Sequence, residues 1–126
     1  MNDSATLPPG ENPIYDAVSS LSADTLEQTV RRNAAERGFK LRDEHLDVIR
    51  TLVDHYRNDC RNRDCLAAHE HMRYLEDAYA ERGGSRYLYM LFDAVPDARG
   101  VLAPIHDLAG LPPLHLETDE GFGTSY

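Results

Sequence analysis

The feature of this sequence that most constrains its fold is an apolar stripe over residues 43–57. Its large apolar side chains recur at helical spacing: Leu46, Ile49, Leu52, Val53 and Tyr56. Residues at these spacings share one face of an α-helix, so the stripe predicts an amphipathic helix with its charged residues towards solvent. Because packing stabilises such a helix more than local propensity does, other elements must cover its apolar face.

Weaker patterns predict further helices on both sides of this stripe. One helix starts near Ser22 and ends at Gly38, with Leu26, Val30 and Ala34 on a shared face. A later helix spans residues 64–82, and the Gly83-Gly84 pair ends it.

The last third of the chain gives less regular signals. The apolar run at residues 87–92 is assigned a turn of helix, although periodicity alone does not separate helix from strand here. A short helix is expected over residues 97–108, with Pro104 interrupting it. The fold class is therefore mostly α.

Composition and breaker residues suggest one helical domain between two loose ends. A chain of 126 residues suits a single domain. Proline and glycine mark residues 1–21 as a flexible N-terminal arm, and acidic residues and glycines mark residues 114–126 as a flexible acidic tail. The helical domain is expected to occupy residues 22–113.

The charge and the N-terminus bear on cellular context. The formal net charge is -9, which opposes non-specific binding to nucleic acid or to an anionic membrane. No apolar run is long enough for a membrane span, and the first residues do not resemble a secretion signal. We expect a cytoplasmic protein with no membrane partner, in which Cys60 and Cys65 are thiols.

Three stretches carry a family resemblance. Residues 36–49 read ERGFKLRDEHLDVI, residues 84–92 read GSRYLYMLF, and residues 108–112 read LAGLP. In order and spacing they resemble the DsrC/TusE family of sulfur-carrier proteins, which includes the small subunit type associated with dissimilatory sulfite reductase. The resemblance covers roughly residues 24–114.

The resemblance implies both a fold and a chemistry. The fold would be a small helical domain with a helix-turn-helix-like core, an extended C-terminal arm and, as an optional element, a small N-terminal β-hairpin. In the family, a cysteine near the end of the arm accepts sulfur as a persulfide. DsrC-type members have a second cysteine just before the Ala-Gly-Leu-Pro run and serve sulfite reductase, whereas TusE-type members relay sulfur towards tRNA thiolation.

Two departures from the family pattern determine the functional expectation. Anchored on residues 109–112, the upstream cysteine position holds His106, and the near-terminal position falls at about Glu117. Neither residue supplies the sulfur nucleophile that persulfide chemistry needs. We therefore expect a non-catalytic protein of sulfur metabolism that binds a protein partner or regulates, and that needs no cofactor.

Two alternatives to this expectation remain open. Cys60 and Cys65 could replace the missing thiols, because nearby arginines would favour the thiolate. A basic stretch could instead contact an acidic partner or the acidic tail. If it contacts the phosphates of DNA, the protein would be a DNA-binding regulator. The stretch consists of Arg31, Arg32, Arg37, Lys40 and Arg42.

The histidines give no sequence signal for a metal site. His69 and His71 are two residues apart, so on a helix they point to different sides. The other histidines are scattered along the chain, and their expected state is solvated or hydrogen-bonded: His45, His55, His106 and His115.

Overall fold

The computed structural model describes residues 13–60, 68–96, 99–112 and 114, and within these ranges the chain is mostly helical without a β-strand. The helices are α1 (Pro13–Val18), α2 (Ala23–Glu36), α3 (Asp43–Asp59), α4 (Ala68–Ala78), α5 (Ser85–Phe92) and α6 (Leu102–Ala109). A 3-10 helix, Ala80–Arg82, lies between α4 and α5. An N-terminal β-hairpin within residues 1–12 and an arm beyond residue 114 would lie outside these ranges.

Helix α3 is the central element, as the apolar stripe predicts. All five stripe residues are buried, and α3 packs against α1, α2, α4 and α5. Leu52, Val53 and Tyr56 are fully buried. Because other helices cover α3 on several sides, its apolar side chains form the centre of the hydrophobic core.

Helix α2 begins and ends close to the predicted residues. The side chain of Ser22 accepts a hydrogen bond from the backbone N–H of Thr25, which satisfies an N–H that the first turn would leave unpaired. Gly38 adopts a left-handed conformation just after the helix, where glycine avoids the Cβ strain of other residues. The other side of α2 packs against α6.

The N-terminal boundary of the domain differs from the prediction. Residues 13–18 form helix α1 rather than part of a flexible arm, and Ile14 and Val18 are fully buried. The Arg57 guanidinium donates hydrogen bonds to the carbonyls of Val18 and Leu21, near the end of α1 where carbonyls lack helical partners. The structured domain therefore extends at least from residue 13, because two apolar residues among the prolines suffice to anchor a short helix.

Two further predictions concern the second half of the chain. The run at residues 87–92 is helical, as assigned, and lies in α5. Pro104 does not interrupt its helix, because α6 begins only at Leu102 and places the proline in the first turn. At that position the missing N–H would have no helical acceptor anyway. None of the described helices is long and apolar enough to cross a membrane.

Candidate functional site

His106, one of the residues that the sequence resemblance singles out, lies inside the domain. His106 is on α6 and only 5% exposed. Its Nε2 lies 2.6 Å from the Tyr56 hydroxyl, and its Nδ1 lies 2.6 Å from the Pro112 carbonyl oxygen. The side chain therefore joins α6, the middle of α3 and the segment that follows α6.

The Pro112 contact fixes the tautomer of His106, and burial fixes its charge. A carbonyl only accepts, so Nδ1 carries a proton and donates it to Pro112. In the neutral ring, Nε2 is then the acceptor for the Tyr56 O–H. Burial lowers the pKa of His106 to about 4, and burial raises the pKa of Tyr56. At neutral pH neither group is charged.

Additional contacts hold the end of α6 and the following residues against α2. The Asn33 side-chain amide donates to the Leu108 carbonyl at 2.8 Å, and Arg37 lies 3.5 Å from the Asp107 carboxylate. Leu111 and Leu114 are partly buried against the core. Residues 111 and 114 thus pack against the helical body.

A second pair of buried histidines lies next to the first contact. His55 Nε2 and His71 Nδ1 are 3.0 Å apart, and the His71 ring packs edge-on against Tyr56 with centroids 4.8 Å apart. His55 Nδ1 lies 3.3 Å from a carboxylate oxygen of Asp59. The polar rings of α3, α4 and α6 form a continuous buried group, which we call the histidine–tyrosine cluster: His55, Tyr56, His71 and His106.

The cluster has the features of a structural network, because its buried polar atoms are hydrogen-bonded to one another and to the backbone. Within the described ranges, no buried side-chain nitrogen or oxygen lacks a hydrogen-bond partner. No group of three or more His, Cys, Asp or Glu side chains there could hold a metal ion. Satisfied polar groups of this kind specify how helices pack against one another.

Cys60, one of the two candidate substitute thiols, is fully buried at the end of α3. The expected thiol is not found there, since Cys60 is disulfide-bonded. A sulfur atom in a disulfide is not a free nucleophile, and it must be reduced before it can accept sulfur. Cys65 and Glu117, the other residues singled out for sulfur chemistry, lie outside the described residues.

The predicted basic stretch is largely neutralised within the chain. Arg31 pairs with Glu27 at 2.8 Å, Arg37 with Asp107, and Arg42 with Glu44 at 3.4 Å. The Arg31 side chain also lowers the pKa of Glu27 through its hydrogen bond. Arg32 and Lys40 are exposed, and no carboxylate pairs with them among the residues that the structure describes.

His45 connects two of the stretches that carry the family resemblance. Its Nδ1 accepts the backbone N–H of Arg42 at 3.0 Å, so Nε2 donates to the Leu91 carbonyl at 2.8 Å. Its ring also packs edge-on against Phe39 and Phe92. Burial lowers the pKa of His45, which keeps this linking ring neutral.

The sequence predicts hydrogen-bonded or solvated histidines, but it does not predict the cluster. His69 is exposed and His71 buried, as their spacing requires. Helical spacing could have predicted that both His55 and His71 are buried. His55 is three residues after the buried Leu52, and His71 is four residues before the buried Leu75, so each shares an apolar helix face. Helices α3, α4 and α6 come together only in the tertiary structure, so no local sequence pattern predicts their contact.

Comparison with known proteins identifies no relative of this chain. No protein-family model, curated protein or solved structure matches the chain.

Proposed function

We propose that this chain is a DsrC/TusE-like protein of sulfur metabolism that acts by binding a protein partner and does not carry sulfur itself. The observation that carries the proposal is the state of His106. The neutral, buried imidazole of His106, hydrogen-bonded at both nitrogens, occupies the position where the resemblance places a cysteine. It offers no nucleophilic sulfur, and it holds the following segment against α3.

The way in which the resembling stretches meet supports the family part of this proposal. Residues 36–49 and 84–92 meet through the hydrogen bond from His45 to Leu91 and through the ring contact of His45 with Phe92. Residues 108–112 contact α2 through the Asn33–Leu108 hydrogen bond. Two of the three resembling stretches therefore contact each other in the core, and the third packs on the neighbouring helix α2.

The sulfur-carrying part of the proposal is tested by mass spectrometry. The protein, with and without prior reduction, is incubated with a low-molecular-weight persulfide donor, and its intact mass is measured. We expect no stable gain of a sulfur atom. Cys60→Ser, Cys65→Ser and the double variant serve as controls. A gain that these substitutions abolish would contradict the proposal and support a sulfurtransferase instead.

The binding part needs its own experiment, because a negative sulfur result alone does not establish a partner. Immobilised protein is exposed to purified candidate partners encoded beside its gene, including any sulfite reductase or tRNA-thiolation relay component. Retention of one of them by the wild type, and by the double cysteine-to-serine variant, is the expected result. If none is retained, the binding role is rejected even though the absence of sulfur transfer stands.

The remaining alternative is a DNA-binding regulator. The ion pairs of Arg31, Arg37 and Arg42 reduce the charge that this surface offers to phosphates, and the net charge of -9 opposes it further. A mobility shift at low salt with DNA from upstream of its gene, weakening steeply as salt rises, would favour this alternative. We expect no shift.

A further inference from the structure

Helix α5 has an exposed stripe on the face opposite its buried residues. Tyr87, Leu88, Leu91 and Phe92 face the core. The exposed residues lie at positions i, i+3, i+4 and i+7, which form a single stripe along the helix: Arg86, Tyr89, Met90 and Asp93. Met90 is 68% exposed and Tyr89 is 40% exposed, so the centre of the stripe is apolar.

The charges of the stripe are arranged symmetrically about its centre. It begins with a basic residue, Arg86, and ends with an acidic one, Asp93, and its midpoint falls between Tyr89 and Met90. Two copies of α5 in antiparallel contact would therefore place Arg86 of each copy opposite Asp93 of the other. At 1.5 Å of rise per residue the two charges are about 10 Å apart along the axis, so both pairs can form together.

A shallow depression adjoins the stripe and supplies a place for an apolar side chain. Tyr89, Met90, Asp93 and Gly100 line it, and its volume is about 260 Å³. Met90 of a second copy has the flexible, polarisable side chain that fits an irregular recess. Arg86 and Asp93 are both exposed, and neither forms an ion pair within the described part of the chain.

We propose that this α5 stripe is a self-association surface through which two copies form a two-fold symmetric dimer. The symmetry of the charges favours a second copy over an unrelated protein. In an isologous contact the same patch must complement itself, whereas a different partner imposes no such order. The inference goes beyond the proposed function, which requires no oligomer.

The expected dimer is weak and salt-sensitive. A single two-turn helix face buries less than the roughly 1,000 Å² of a stable interface, so we expect a dissociation constant on the order of 100 μM. Exposed charge pairs are screened by salt, so association should weaken as salt is added.

Charge reversal tests the proposal by sedimentation across a wide concentration range at low salt. Arg86→Asp or Asp93→Arg alone sets like charges against each other in both symmetry-related pairs and should weaken association by roughly tenfold. The double variant Arg86→Asp/Asp93→Arg restores opposite charges and should associate like the wild type. Arg73→Asp, which changes an exposed charge on α4, is the matched control and should have no effect.

Three outcomes would overturn the inference. One is a wild-type protein that stays monomeric up to millimolar concentration. Another is a dimer that is unaffected by either single reversal, which would place the contact elsewhere. The third is a double reversal that fails to restore association while its circular dichroism spectrum shows a folded protein.

Discussion

At the scale of single residues, the histidine–tyrosine cluster is stable because each polar atom has a partner. A buried donor or acceptor without one costs about 1–3 kcal/mol, which is more than a typical satisfied hydrogen bond contributes. The Tyr56 hydroxyl donates to His106 Nε2, and His106 Nδ1 donates to Pro112. Removing one member should therefore cost more than the contact itself is worth.

Tyr56→Phe tests this reasoning directly. The substitution keeps the aromatic ring but leaves His106 Nε2 buried without a donor, so we expect a loss of about 1–3 kcal/mol in the free energy of unfolding. Urea denaturation measures it. Tyr74→Phe is the matched control, because Tyr74 is 40% exposed and stacks on His55 through its ring. That control should change stability by less than about 0.5 kcal/mol. Equal effects of the two substitutions would argue against the hydrogen bond as the cause.

The lowered pKa of His106 makes stability depend on pH. The folded protein resists protonation of this ring down to about pH 4, whereas the unfolded chain takes up the proton near pH 6.5. The unfolded state therefore binds more protons between these values. The contribution is fully present above pH 6.5, falls as the pH drops, and levels off below pH 4. Its total size is about 3 kcal/mol at most.

His106→Gln separates this effect from the protonation of carboxylates, which both proteins share. Free energies of unfolding are measured for wild type and variant from pH 7.5 to pH 4. We expect the wild type to lose stability more steeply between pH 6.5 and pH 4 than the variant does. His45, whose pKa is also lowered, should leave a residual slope in both. Parallel curves would show that His106 does not titrate as its burial implies.

At the scale of elements, local sequence predicted most helices because their apolar residues recur at helical spacing. The stripe of α3 is the clearest case, and the Ser22 cap of α2 follows from simple capping chemistry. Helix α1 was missed because it is short and lies among prolines, so only its tertiary contacts show that it is structured. Pro104 was misjudged because its effect depends on whether it lies in the first turn or the interior of a helix.

The candidate site was likewise only partly predictable from the sequence. His106 was singled out from the sequence resemblance alone, since its place there depends only on counting back from residues 109–112. The partners of His106 are a tyrosine fifty residues earlier and a carbonyl six residues later. The tyrosine contact arises only when α3 and α6 pack together. The disulfide state of Cys60 was likewise unpredicted, because compartment arguments favoured a thiol.

Gly110 ends α6, and a substitution there tests the role of its backbone conformation. Its φ is 72°, in the left-handed region, and among the described residues an added Cβ would meet only the Thr29 methyl, at 3.7 Å. Strain rather than a clash should therefore dominate, and Gly110→Ala should cost about 1–2 kcal/mol. Gly110→Asn should cost less, because asparagine tolerates this conformation better. Thermal unfolding of both variants measures the order, and a more stable alanine variant would contradict it.

At the scale of the whole molecule, contacts with α3 hold both α1 and the described residues that follow α6. Arg57 of α3 holds the end of α1, and Tyr56 of α3 holds the segment after α6 through His106. Two adjacent residues of α3 thus hold in place two segments that are far apart in the sequence.

Truncation determines where the cooperative domain ends. A chain that stops after Leu114 retains Pro112 and the partly buried Leu111 and Leu114. We expect its Tm to stay within a few degrees of the full-length value, because the acidic residues beyond this point are predicted from sequence to add only weak ion pairs. A chain that stops after Gly110 loses the Pro112 carbonyl, leaves His106 Nδ1 without its acceptor, and exposes core atoms. Its Tm should fall by about 10 °C or more, since several kcal/mol are lost from a domain of this size. Equal melting of the two truncated chains would show that the segment after α6 only rests on the body, and the proposed fastening through His106 would then be wrong.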